Sequence, residues 1–93
     1  MPRTKEAIQQ QIEELLALKP RVRQFTLFHD DNHEAIDAQI EVLQDNLDID
    51  SIYDKFESEA VQSSAIEARE WLDGVYEGES LVAEWEPLVK GGS

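Results

Sequence analysis

A chain of 93 residues without cysteine has room for one core and no disulfide or thiol chemistry to reinforce it. Its 21 Asp and Glu against eight Lys and Arg give a net charge of −13, which repels nucleic-acid phosphates and anionic membranes and leaves cations and basic proteins as natural partners. No apolar run approaches membrane-spanning length and residues 1–19 lack a signal-peptide core, so a cytoplasmic protein with no direct nucleic-acid or membrane partner is expected.

The first predicted element is an amphipathic helix over 5–18. Thr4 is its N-cap, Ile8, Ile12, Leu15 and Leu16 recur at helical spacing, and Pro20 ends it. Residues 20–30 do not continue that period. Val22, Gln24 and Thr26 alternate with Arg23, Phe25 and Leu27, which allows a short strand near 22–27. Phe25, Leu27 and Phe28 are too apolar for a free loop and are expected to pack down. Asp31-Asn32-His33-Glu34 has the form of a capping box, and Ile36, Ile40, Leu43 and Leu47 follow as one stripe, predicting a helix over 32–46. Asp48 or Asp50 caps a short third helix carrying Ile52, Tyr53 and Phe56. A fourth helix is predicted over 59–73, with Val61, Ala65, Ala68 and Leu72 on one face and Gly74 as its stop. Leu81, Val82, Trp85, Leu88 and Val89 form a last apolar patch, either a helical turn or an extended tail that folds back.

The expected fold is therefore mainly α, a compact bundle of three to four helices. Residues 1–90 make one domain, the first two helices form an antiparallel pair, and 91–93 form a flexible tail.

The acid is not spread evenly. Residues 30–86 hold 18 of the carboxylates and only two cations, Lys55 and Arg69, for a local charge of −16. Within this block Glu34, Asp37, Glu41, Asp45 and Asp48 fall at spacings of three and four, opposite the apolar stripe of the second helix. Like charges at i,i+4 cost about a few tenths of a kcal/mol each. Successive members rise by about 4.5–6 Å, near the phosphate repeat of one DNA strand. These five residues are the candidate partner-binding set. A basic protein surface is the expected partner, imitation of DNA is a narrower alternative, and a face kept only for solubility is the bland one.

Other constellations are weaker. His29 and His33 are four apart among acids, which raises a metal-binding protein or enzyme as a third reading. However, a cap at Asp31 leaves His29 outside the helix, and Asp37 stands where a zincin needs its second His. Asp48, Asp50, Asp54 and Glu59 occupy positions 1, 3, 7 and 12 of a calcium loop, but Ile52 and Tyr53 stand at positions 5 and 6, where an oxygen ligand and a glycine are required. Lys19, Arg21 and Arg23 form a basic cluster expected to pair with the chain's own carboxylates. Trp71, Tyr76, Trp85, Leu88 and Val89 are either core or an exposed apolar patch, and core is favoured in so small a chain. No serine has a nucleophile's setting and no glycine-rich phosphate loop exists, so no catalytic residue, cofactor or metal is assigned and a non-enzymatic role is expected.

The segments Val22-Arg23-Gln24-Phe25, Asp31-Asn32-His33-Glu34-Ala35-Ile36-Asp37-Ala38-Gln39-Ile40, Trp71-Leu72-Asp73-Gly74 and Pro87-Leu88-Val89 resemble small acidic uncharacterised proteins of bacteria and their mobile elements. That resemblance implies a bacterial, phage or plasmid source. It brings no assigned activity and no site residues. Both a monomer and a homodimer are compatible with the sequence.

Overall fold

Local chemistry starts every helix. In the computed structural model, which describes residues 2–27 and 29–90, Thr4 Oγ1 accepts the Ala7 N–H at 3.1 Å and opens α1 (Lys5–Leu18). Asp31 Oδ1 accepts the Glu34 N–H at 3.1 Å and opens α2 (Asn32–Asp45). Asp48 Oδ1 accepts the Ser51 N–H at 2.8 Å ahead of α3 (Ile49–Lys55), and Ser58 Oγ accepts the Val61 N–H ahead of α4 (Glu59–Asp73). Each cap satisfies an N–H that the first helical turn leaves without a carbonyl.

The stops are equally local. Pro20 cannot continue α1, and the chain tightens into a 3-10 turn over Lys19–Arg21. α2 ends where Asn46 turns left-handed at φ 53°, and α4 where Gly74 does so at φ 79°. A side chain at Gly74 would carry the strain of that conformation, so Gly74→Ala is expected to lower stability by about 1 kcal/mol in urea titration.

The described residues form a small, mainly α bundle. α2 packs most extensively on α4, α1 packs on α2, and α3 packs on α4. The largest fully buried apolar side chains are Leu15 from α1, Ile36 and Val42 from α2, Ile52 from α3, Val22 and Leu81, with Ala65 and Ala68 of α4 as closely buried. Burying each of the larger side chains contributes on the order of 1.5–3 kcal/mol. The last apolar patch becomes two 3-10 turns, Leu81–Glu84 and Glu86–Leu88, and the first of them packs against α1 and α4. Trp71 and Trp85 are 3% and 7% exposed, so both indoles belong to the core. The residues at 91–93, expected to form a tail, lie outside those described.

The segment at 22–27 does not become a named strand. It makes two isolated antiparallel bridges, Val22 with Val89 and Phe25 with Asp31. Of this segment only Val22 is buried, and Gln24 two residues on is exposed. Phe25 is 54% and Leu27 94% exposed, contrary to the expectation that they pack down. Beyond Val22 the chain bends at Gln24 and turns at Leu27, so neither Phe25 nor Leu27 is carried onto the core. Phe28 lies outside the described residues.

Candidate interaction surface

The acidic stripe divides into parts with different surroundings. Glu34, Asp37 and Asp45 lie at exposed positions of α2, while Glu41 is half-buried. Asp37 meets Lys19 at 2.8 Å and Glu41 meets Lys55 at 2.7 Å. The hydrogen bond from Lys55 to Glu41 holds the lysine's pKa above its ordinary value. Asp48 is not on α2. Asn46 has already turned the chain, and Asp48 is spent as the cap of α3, where the Ser51 hydrogen bonds keep its pKa below the usual carboxylate value. The helical run of acids therefore ends at Asp45. Two cations remote in sequence interrupt it, and Glu34 and Asp45 remain the members without an ion pair among the described residues.

Across the whole surface the acid remains largely unneutralised. All of the 21 carboxylates except Asp31, Glu41, Glu67 and Glu84 lie at exposed positions. The described residues contain three ion pairs, the third being Arg69 with Asp73 at 2.7 Å. Arg69 also donates to Asn46 Oδ1 and the Leu47 carbonyl, so it ties α4 to the end of α2. Pairs this exposed add little stability, and the surplus negative field is left facing solvent.

A second group of carboxylates was not singled out from the sequence. Glu67 of α4 sits beside Glu84 of the Leu81–Glu84 turn, with Glu70 and Tyr76 nearby. Burial, the hydrogen bond to Glu84, and the charges of Glu84 and Glu70 raise the Glu67 pKa to about 8. Glu67 Oε2 is buried without a hydrogen-bond partner among the described residues, and a proton held between Glu67 and Glu84 relieves both its burial and the repulsion of the two carboxylates. Glu84 in turn accepts from Gln39 Nε2 at 2.8 Å. Gln39 is 0% exposed, donates also to the Ser64 carbonyl, and accepts the Trp85 indole N–H at 2.9 Å. Burial and the same three glutamates raise the Tyr76 pKa.

A parallel device seats the same segment on α1. Buried Gln11 accepts the Leu81 N–H at 2.7 Å and donates to Ser80 Oγ. Trp71 Nε1 donates to the Glu79 carbonyl at 3.0 Å, and the Arg3 guanidinium stacks over the Trp71 ring. A sequence signal for both glutamines exists. Gln39 is three residues from Ile36 and four from Leu43, and Gln11 is three from Ile8 and four from Leu15. Each is thus a polar residue on an apolar helical face, the mark of a buried hydrogen-bonding role.

The two histidines sit in different settings, His33 in the first turn of α2 and His29 before it. His33 Nε2 lies 2.9 Å from the Val22 carbonyl, which can only accept, so that nitrogen carries the proton. His29 is in the exposed turn before α2, in a left-handed conformation. Among the described residues no group of three His, Cys, Asp or Glu could hold a metal ion, and residues 48–59 fold around α3 rather than as a calcium loop. Of the basic cluster only Lys19 pairs with a carboxylate; Arg21 and Arg23 are exposed and make no ion pair among the described residues. That departs from the expected pairing for both arginines, which stay solvent-exposed. No described helix is long and apolar enough to cross a membrane. No family model, curated protein or solved structure matches the chain.

Proposed function

We propose that this is a non-enzymatic interaction protein whose acidic surface docks a basic protein. The observation that carries this reading is the unpaired acid: three ion pairs among the described residues against 21 carboxylates, with all but four carboxylates at exposed positions. Such a surface raises the association rate of a basic partner and discriminates against acidic ones. On α2 the residues best able to do this are Glu34 and Asp45, which make no ion pair among the described residues, although the charge of Asp45 is felt by Lys55. Asp37 and Glu41 supply charge already half-spent on Lys19 and Lys55. Imitation of DNA is less well supported, because a regular phosphate-like ladder would not be broken by two lysines within four residues and would not end at Asp45.

The paired and unpaired acids allow a clean test. Glu34→Lys with Asp45→Lys reverses charge on α2 without removing an ion pair. Immobilised wild type and this variant are exposed to the same cell extract, and each recovered protein is purified and its binding kinetics measured. Association is expected to slow by about three- to fivefold with dissociation little changed. Equal association rates for the two baits would remove α2 from the interface.

A further inference from the structure

Leu27 is 94% exposed and Phe25 54%, yet the backbone carrying them is held on both sides. Arg23 N–H donates to the Leu88 carbonyl at 2.9 Å and Lys90 N–H to the Arg21 carbonyl at 2.7 Å on one edge. On the other, Thr26 N–H donates to Asp30 and Asn32 N–H to Gln24. Asn32 Nδ2 also donates to the Arg23 carbonyl at 2.8 Å. Phe25 is therefore presented to water by a segment bonded on both edges, and Leu27 by the turn that Thr26 closes at its end. Rigid presentation of this kind marks an interface.

The complement lies next to it on the same molecule. Across the 87–90 ridge an open cleft of about 550 Å³ is walled by Leu18, Val82, Pro87 and Val89, with Arg21 and Glu86 at its rim. Glu86 is exposed and has no cationic partner among the described residues, and Arg23, which lines the groove beside Leu27, is likewise without a carboxylate. The charge distribution adds a second reason to expect contact here. Residues 30–86 carry −16, so two copies repel over most of their surfaces. Arg21, Arg23 and Lys90 make this the face on which that repulsion is least.

We propose that this face is occupied by a second copy of the chain, in a twofold dimer. Leu27 of each copy enters the cleft of the other, and Arg23 of each meets Glu86 of the other. A projection, a cleft and two opposite charges on one surface are self-complementary, and a twofold axis satisfies both sets at once and closes the assembly. The dimer rests on Leu27, the cleft and the Arg23–Glu86 pair, so it does not depend on a basic partner binding α2.

Sedimentation from about 10 μM to about 1 mM protein in ~150 mM salt tests it. Wild type is expected to sediment at twice the monomer mass toward the upper end of that range. Leu27→Asp, at so exposed a position, leaves the thermal melt unchanged and weakens the dimer at least about fivefold. Arg23→Glu and Glu86→Arg each weaken it, and the two together restore it toward wild type, which a merely hydrophobic contact would not do. A monomeric wild type throughout overturns the proposal, including the case in which the strip serves a different acidic protein. So does a dimer indifferent to Leu27→Asp, or a double variant no better than its singles.

Discussion

Gln39→Ala is expected to cost about 3–5 kcal/mol, a large share of the stability of a domain this small. Two effects add. Truncating a side chain at 0% exposure between α2, α4 and the Leu81–Glu84 turn leaves a cavity. It also strips the Trp85 N–H of its acceptor and removes the amide that donates to both the Ser64 carbonyl and Glu84, leaving these to the α4 backbone and to Glu67. Gln39→Leu separates the two, because it keeps most of the volume while removing the polar atoms. That variant is expected to lose about 1–3 kcal/mol, mainly from the stranded indole N–H. Urea titration followed by tryptophan fluorescence measures both, and the emission of Trp85 should shift red in the native state if the segment loosens. A loss below about 1 kcal/mol for Gln39→Ala would mean that the glutamine does not hold the segment.

Glu67→Gln carries the next largest effect, and it depends on pH. The folded-state pKa of Glu67 is raised to about 8 from an ordinary 4.5. Below 4.5 the group is protonated in both folded and unfolded chains, and its contribution to stability is fully present. Between 4.5 and about 8 the unfolded chain loses the proton first, so stability falls as pH rises; above about 8 both forms are ionised and the loss is complete. Allowing for solvent screening at a half-buried carboxyl, the fall attributable to Glu67 is about 2 kcal/mol. Glutamine keeps a donor for Glu84 and has no proton to lose. The variant is therefore expected to match wild type near pH 4.5 and to exceed it by about 2 kcal/mol at pH 8.5. General relief of acidic repulsion at low pH acts on both proteins, so the difference between their stability curves isolates the one carboxyl. Parallel curves would show that Glu67 and Glu84 do not share a proton.

These two residues also show where sequence is a good guide and where it is not. Thr4, Asp31, Asp48 and Ser58 act as caps because a cap needs only a side-chain oxygen and an N–H two or three residues on, and that geometry is local. Pro20 and Gly74 are legible as stops for the same reason. The neutralisation of the α2 stripe is not local: Lys19 reaches Asp37 across 18 residues, and Lys55 reaches Glu41 from a different helix. An acidic run therefore looked less compensated in one dimension than it is in three. The alternation at 22–27 was legible as a period, but Val22 pairs with Val89, far away in the chain, and is the segment's one buried residue. The bend at Gln24 and the turn at Leu27 leave Phe25 and Leu27 exposed. Glu67 and Glu84 come together only because the Leu81–Glu84 turn folds back on α4, and nothing in their separate settings marks them.

A basic partner held by an acidic surface has a distinctive signature in salt. The protein is immobilised, exposed to cell extract at ~50 mM salt, and washed in steps to ~500 mM, across which screening shortens from about 14 Å to about 4 Å. The expected result is a small set of proteins with basic surfaces that elute in the steps and are recovered less well by the Glu34→Lys, Asp45→Lys bait. Retention of the same proteins through the high-salt wash, or recovery of partners without basic surfaces, would contradict docking through the acidic face.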